Sequence, residues 1–234
     1  KVAKLVAESQ WLSLEGIFTH LATADVADTQ FAEQQVSALS RCVEQVRACG
    51  IEVRHVHISN SASAIRKLDA GAGCTMARVG IALYGIPGDA NTNTFGAIHQ
   101  LDLRPVMSVH ARVSHVQRVA AGQGVSYGLK RPHEQDATVA TLPLGYADGV
   151  PRGLWESGSV LIGGIRRLFA GVVTMDQIMV NCTDDAVRIG DEVVLIGAQG
   201  SEVITANEWA NKMGTIGYEI VCAISARMPR NYIN

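Results

Sequence analysis

The sequence predicts a parallel α/β unit over residues 1–100, such as part of a barrel, followed by a mostly antiparallel β domain over residues 101–234. In the first unit, short apolar runs typical of buried strands alternate with helical patterns. In the second, apolar and polar residues alternate with the two-residue period of half-buried strands. A polar, glycine-containing stretch at residues 88–104 is typical of a linker between them.

The first unit is predicted to alternate strands with helices along the chain. The expected elements are a helix tail at 1–9, a strand at 14–21, a helix at 29–48, a strand at 51–59, a short helix at 60–68, and a strand with a turn at 75–85. Apolar residues in the long helix recur every three or four positions, at Val36, Leu39, Val43 and Val46. Asp28 or Thr29 would cap its start, and Gly50 follows its end.

The second unit is predicted to be built from strands. Residues 108–116 alternate cleanly, with Val109 and Val113 on one face and His110 and Arg112 on the other. Further strands are expected at 137–144, 158–162, 167–173, 177–182 and 192–197, with one helix near 205–213 capped by Thr205.

Composition and charge disfavour several classes of function. The net charge is −2, without a basic run, which disfavours nucleic acid and anionic membrane surfaces as partners. The chain has five cysteines but no CxxC pair, which disfavours a disulfide framework or a zinc site and favours a reducing cytosol. No apolar run approaches the roughly 20 residues that a membrane helix needs.

Polar residues follow the predicted strands of the first unit, at the barrel end where active groups lie. They are His20 after the first strand, Asn60 and Ser61 after the second, and Arg78, Gly80 and Ile81 after the third. Taken singly, such residues are commonly structural, as a strand-end histidine, a helix cap or a packing glycine. Their recurrence at one end favours a site. A helix start at Ser61 and the backbone near Gly80 are suited to a phosphate.

The β domain contributes two further candidates. Tyr146 lies in a loop rich in glycine and aspartate at the end of a strand, and Met175 and Asp176 interrupt an apolar strand run. The ordinary interpretation is core packing for the methionine and a turn for the aspartate.

Together these segments resemble the alanine racemase family. The motifs FTHLATAD (18–25), HISNSAS (57–63), ARVGIALYG (77–85), VSYG (125–128), PLGYADG (143–149), MDQIMV (175–180) and GTIGYEI (214–220) occur in the order seen in that family. The resemblance spans nearly the whole chain. It implies the C-terminal half of a (β/α)8 TIM-type barrel that binds pyridoxal 5′-phosphate (PLP), then a β domain, in an enzyme that acts as a homodimer.

The resemblance also implies roles for individual residues. His20 would lie beside the cofactor ring, Arg78 would bond the pyridine nitrogen, and Tyr146, delivered by the partner subunit, would handle the proton on the L face. Met175 would meet the substrate carboxylate through its backbone, and Asp176 would support that loop. The remaining cofactor residues would be Asn60, Ser61, Gly80, Ile81 and Tyr218.

Racemisation needs a base on each face of the substrate carbon, because one face loses the proton and the other gains it. A tyrosine base needs a pKa below its usual value of about 10, and a nearby cation can lower it. We hypothesise that a relay of Arg78, His20 and Tyr146 does so.

The lysine that would bind the cofactor, and serve as the D-face base, belongs in a motif of the form V-K-A-x-A-Y-G-H-G, which the sequence does not contain. Its lysines are Lys1, Lys4, Lys67, Lys130 and Lys212. We therefore interpret the chain as a fragment lacking the first part of the barrel. The implied function of the parent protein is cytoplasmic interconversion of L- and D-alanine, supplying D-alanine for cell-wall peptidoglycan.

Three alternatives remain open at this point. One is a racemase of other or broad specificity, such as for serine. Another is a non-catalytic PLP-binding or dimerising remnant, if the chain is complete. A third is a racemase with an upstream membrane segment.

The purified 234-residue chain is expected to be inactive as a racemase and poorly soluble. Half a barrel leaves an open strand edge and an uncovered core, and one of the two bases is missing. Chiral chromatography after incubation with L-alanine and PLP checks this. Robust formation of D-alanine by the isolated chain would contradict the expectation.

Overall fold

The computed structural model of the chain describes residues 1–69, 72–87 and 101–233. It divides into two compact units, Lys1–Arg104 and Pro105–Asn234. Most of the predicted linker, and the predicted boundary after residue 100, fall at residues 88–100, outside the described residues. Within the described ranges, no helix has the length and apolar character that crossing a membrane requires.

The first unit has the predicted alternation of strands and helices. Its elements are α1 (Val2–Ala7), β1 (Gly16–Phe18), α2 (Gln30–Ala48), β2 (His55–His57), α3 (Ser61–Arg66) and a 3₁₀ turn (Ile81–Tyr84). Strands β1 and β2 pair in parallel, with Ile17 opposite Val56. The apolar face of α2 packs on these strands and buries Leu39 and Val43, which confirms the helical pattern. The strand ends therefore lie side by side.

The strand predicted within residues 75–85 is wrong. Only Met76 forms a strand contact, a single parallel bridge to His57. The segment continues along β2 through two backbone bonds, in which Thr75 N–H donates to Val56 at 2.8 Å and Arg78 N–H donates to Ser59 at 2.8 Å. The chain then turns at Gly80 into the 3₁₀ turn. These irregular contacts carry Arg78 across the ends of the strands.

The second unit is antiparallel, as predicted. Its elements are β3 (Val109–Arg112), β4 (His115–Val119), β5 (Ala137–Leu142), β6 (Ser159–Ile162), β7 (Ile165–Leu168), β8 (Ile178–Asn181), β9 (Glu192–Gln199), β10 (Glu202–Ile204), α4 (Ala206–Met213) and α5 (Gly217–Ala223). One sheet has the order β10-β9-β6-β7, with β3 also on β9, and the other has the order β4-β5-β8. The Thr205 hydroxyl accepts the Glu208 N–H at 3.0 Å, which confirms the predicted cap of α4.

The single strand predicted at 108–116 is two strands in different sheets. The backbone changes partner between neighbouring residues: Val113 N–H donates to Asp191, beside β9, and Ser114 N–H donates to Thr141 on β5. Val109 and Val113 are buried as the alternation predicts. The alternation ends at the same place, since His115 is polar and Val116 is apolar where the pattern requires the reverse.

The strand predicted at 167–173 is displaced toward the N-terminus. Strand β7 ends at Leu168, and Phe169 contributes only one bridge, to Val180. At Gly171 the backbone approaches Val125 so closely that a Cβ would lie 2.6 Å from the Val125 carbonyl oxygen. This packing of the chain against another loop replaces strand pairing. Strand β10 and helix α5 were not predicted.

The substitution Leu161→Ala is expected to lower the free energy of unfolding by about 2–5 kcal/mol, because it removes a fully buried side chain and leaves a cavity. Leu168 on the neighbouring strand is 54% exposed, so Leu168→Ala should change that free energy by no more than ~0.5 kcal/mol. Urea unfolding of the intact protein, followed by tryptophan fluorescence, measures both. Equal losses would show that this sheet is not the buried core of the unit.

Candidate active site

Arg78 connects the ends of the two paired strands of the first unit. Its Nη1 donates to Nδ1 of His57 at 2.5 Å, and its Nη2 donates to the Thr19 carbonyl at 2.9 Å. Nη2 also lies 3.2 Å from Nδ1 of His20. The structure thus brings together Arg78 and His20, both predicted from the sequence, and the half-buried guanidinium of Arg78 contacts both His20 and His57.

The sequence interpretation missed His57. Partial burial lowers the pKa of its imidazole, and the positive charges of Arg78 and His55 lower it further. A neutral imidazole has one nitrogen free to accept, and here that nitrogen faces the guanidinium of Arg78. The Phe18 ring stacks on His57 with a centroid separation of 5.1 Å, and the Arg78 guanidinium carbon lies 5.3 Å from the Phe18 centroid.

One signal for His57 is present in the sequence. His55, Val56 and His57 alternate on a short strand, and the apolar middle residue is the buried one. The two histidines therefore share the other face. A second histidine at a strand end facing an arginine is recognisable only when the path of residues 75–80 is known.

The hydroxyl of Ser61 is bound to the turn that follows Arg78. Its oxygen accepts the N–H of Gly80 at 2.9 Å and the N–H of Ala82 at 3.3 Å. A hydroxyl that accepts two N–H groups keeps its own proton to donate. A Cβ placed on Gly80 would have no neighbour within 4 Å, so the space in front of this backbone is open. The arrangement suits an anion approaching the turn.

Asn60 has a clear local role. Its side-chain oxygen accepts the Ser63 N–H at 3.0 Å, and the Ser63 hydroxyl accepts the Asn60 N–H at 3.0 Å. This reciprocal pair caps α3 and fixes where Ser61 begins the helix. Ile81, the first residue of the 3₁₀ turn, is buried.

In the second unit, the turn that carries Tyr146 lies directly on the loop that carries Met175. Tyr146 N–H donates to the Thr174 carbonyl at 2.9 Å, and Ala147 N–H donates to the Met175 carbonyl at 3.1 Å. A Cβ at Gly145 would lie 2.1 Å from the Thr174 oxygen, so only glycine allows this approach. The side chains of Tyr146 and Met175 are both substantially exposed.

Two other predicted residues of this unit lie on its surface. The carboxylate of Asp176 pairs with Arg227, whose Nη2 is 2.7 Å from Oδ1. Tyr218 is the second residue of α5 and is 37% exposed. Each unit therefore brings some of its predicted residues together: His20 with Arg78 in the first, and the backbones of Tyr146 and Met175 in the second. Across the described parts of the chain, no three His, Cys, Asp or Glu residues are arranged to hold a metal ion.

Comparison with known proteins identifies both units. Residues 1–87 match the family model described as alanine racemase, N-terminal domain, and residues 106–232 match the model described as alanine racemase, C-terminal domain. The alanine racemase of Halothermothrix orenii is 40% identical over 95% of this chain and 57% of its own length. That of Symbiobacterium thermophilum is 42% identical over 99% of this chain and 60% of its own length.

Solved structures give the same result. An alanine racemase from a D-cycloserine-producing Streptomyces lavendulae superposes with a TM-score of 0.91 at 33% identity, over 100% of this chain and 60% of its own. The Bacillus anthracis alanine racemase with bound L-Ala-P gives 0.88 at 36% identity, over 99% and 58%. This chain therefore spans a little under two thirds of the length of these relatives. With both family models matched along its length, the chain belongs to the alanine racemase family.

Proposed function

We propose that the protein containing this chain interconverts L- and D-alanine with PLP as cofactor. The observation that carries the proposal is the arrangement around Arg78, a cation fixed by a backbone carbonyl and a histidine and followed directly by the open, serine-bound turn at Gly80. In a member of this family, that arrangement suits a ligand with an aromatic nitrogen and a phosphate.

The residues of the first unit fit this cofactor by their chemistry. Arg78 stays protonated, so it can donate to a pyridine nitrogen without giving up its proton. The Ser61 hydroxyl proton is suited to a phosphate oxygen, and the missing side chain of Gly80 leaves room for that oxygen to approach. We assign phosphate binding to Ser61, Gly80, Ile81 and Tyr218, and assign Asn60 to cofactor binding. When bound, PLP supplies the electron sink that allows the Cα–H bond of an amino acid to break.

The residues of the second unit would act on the substrate. We propose that the Tyr146 phenol moves the Cα proton on the L face, and that the Arg78–His20 contact is the first link of a relay to this tyrosine. The Met175 carbonyl already accepts the Ala147 N–H. We assign the N–H of Met175 to the substrate carboxylate, because a carboxylate needs a donor. The D-face base would be a lysine that this sequence does not contain in the expected motif.

The setting of this reaction is also a proposal. We infer a homodimer in which Tyr146 reaches the cofactor of the partner subunit, in the cytoplasm, with D-alanine destined for peptidoglycan. Relatives named alanine racemase support alanine over serine as the substrate.

Tyr146→Phe in the intact protein is expected to lower racemisation of L-alanine by about 10²–10⁴-fold, because it removes a proton-transfer group. Tyr232→Phe is the matched control, since Tyr232 is 92% exposed and has no assigned role. Chiral chromatography of reactions with L-alanine and with L-serine measures both activity and substrate preference. Full activity of Tyr146→Phe would exclude this tyrosine as the base, and a preference for L-serine would replace alanine in the proposal.

Affinity for PLP is expected to fall in acid, as the pH drops through the lowered pKa of His57 and its imidazole is protonated. Its pKa is lowered from 6.5 in the folded protein, so the neutral form that accepts from Arg78 is complete above 6.5 and is lost as the pH falls through the lowered value. His57→Gln keeps an acceptor but does not titrate, so its PLP affinity should depend less on pH. Equilibrium dialysis between about pH 5 and pH 8 compares them, and identical pH profiles would contradict the assignment.

A further inference from the structure

We propose that Arg227 is a positioning residue that holds the Tyr146 turn and the Met175 loop in one fixed arrangement by pairing with a carboxylate from each. The inference rests on the proposed function, because it concerns the geometry between the proton-transfer group and the group that meets the substrate carboxylate. Every contact that supports it lies within the second unit.

The two loops already touch through their backbones at Gly145. The absence of a side chain there lets the turn approach Thr174 and Met175, and two N–H groups of the turn donate across the contact. These bonds fix the start of the turn. They leave its far end, at Asp148, and the tip of the other loop, at Asp176, to be held by other groups.

Arg227 meets both of those ends. The Asp148 carboxylate is largely buried, and its Oδ2 accepts the Gly145 N–H at 2.9 Å. Its other oxygen, Oδ1, lies 3.5 Å from Nε of Arg227. Nη2 of the same guanidinium donates to Oδ1 of Asp176 at 2.7 Å. One planar cation therefore faces one carboxylate of the Tyr146 turn and one of the Met175 loop.

The backbone around Arg227 is itself fixed to the turn. Ser225 N–H donates to the Asp148 carbonyl at 3.0 Å, and the Ser225 hydroxyl accepts the Arg227 N–H at 3.0 Å. Arg230 donates to the Ile224 carbonyl at 3.0 Å. A Cβ at Gly149 would lie 2.2 Å from the Ala223 oxygen, so this segment packs tightly behind the turn. The guanidinium thus extends toward Asp176 from a backbone segment that is held against the turn.

The Arg227–Asp176 pair is too exposed to contribute much stability, which favours a positioning role for Arg227. The side chain of Arg227 is 53% exposed and that of Asp176 is 58% exposed, and ion pairs of this kind stabilise a fold only weakly. The bond to Asp176 and the charge of Asp148 raise the pKa of Arg227. Its charge is therefore constant at working pH, and its rigid fork sets the separation of the two loops.

The test uses Arg227→Met and Arg227→Lys in the intact, PLP-loaded protein. Arg118→Met is the matched control, because Arg118 forms a similarly exposed pair with Asp184 and, through Thr138, lies at the opposite end of β5 from the Tyr146 turn. Hydrogen exchange of peptides covering residues 145–149 and 174–177 reports the loops directly. Isotope effects with Cα-deuterated L- and D-alanine report the proton transfer, and thermal melting reports stability.

In Arg227→Met, the backbone amide hydrogens of both loops should exchange faster than in the wild-type protein. Its melting temperature should equal that of Arg118→Met. Its kcat/KM should fall on the order of 10–100-fold, equally from both enantiomers because their equilibrium constant is unity. The isotope effect should rise for L-alanine and fall for D-alanine, since only the step at Tyr146 is slowed. Arg227→Lys keeps the charge but not the planar guanidinium. Its exchange rates and kcat/KM should lie between those of the wild-type protein and of Arg227→Met.

Unchanged exchange in the two loops would overturn the proposal. So would a loss of activity matched by Arg118→Met, or one without a change in either isotope effect, because a general loss of folded protein leaves isotope effects unaltered. If the wild-type protein does not racemise alanine, the proposed function fails, and the exchange measurement alone still decides whether Arg227 holds the loops together.

Discussion

The arrangement of the site residues in the first unit depends on the hydrogen bonds of the Arg78 guanidinium. It donates to the carbonyl that follows β1 and to a histidine of β2, and it belongs to the segment that turns back at Gly80 onto Ser61. A short parallel pair of strands has few bonds of its own to set the position of its ends. A side chain with several donors in one plane supplies that constraint, and it remains charged while doing so. The placement of His20, His57 and the Ser61 turn follows from it.

In the second unit, the positions of the Tyr146 turn and the Met175 loop are fixed in a different way. There the close contact is between backbones, at Gly145, and beside it lie the buried carboxylate of Asp148 and the surface pair of Asp176 with Arg227. The turn can approach the loop because no Cβ intervenes, and Asp148 then accepts an N–H within its own turn. Backbone contact sets the distance between Tyr146 and Met175, and charge sets the orientation of the ends.

The elements that could be predicted from the sequence are those whose signal is local. Helix α2 follows from apolar spacing and α4 from its Thr205 cap. Recurrence of polar residues at strand ends, together with family motifs, indicated Arg78 and Tyr146. The contacts of His57 and Arg227 depend on chain segments distant in sequence, Arg78 for one and Asp148 and Asp176 for the other. A periodic pattern carries no information about such partners, so these two residues emerged only with the structure.

The change of partner between Val113 and Ser114 has a consequence for how the second unit assembles. On one side of this point Val119 pairs with Ala137 on β5, and on the other Arg112 pairs with Glu192 on β9. Closing the shorter loop costs less entropy, so the β4–β5 hairpin is favoured to form before β3 finds its distant partner. Because β3 and β4 are separated by only Val113 and Ser114, the hairpin also restricts where β3 can lie when β9 arrives. The junction therefore couples the assembly of a late, non-local sheet to that of an early, local one.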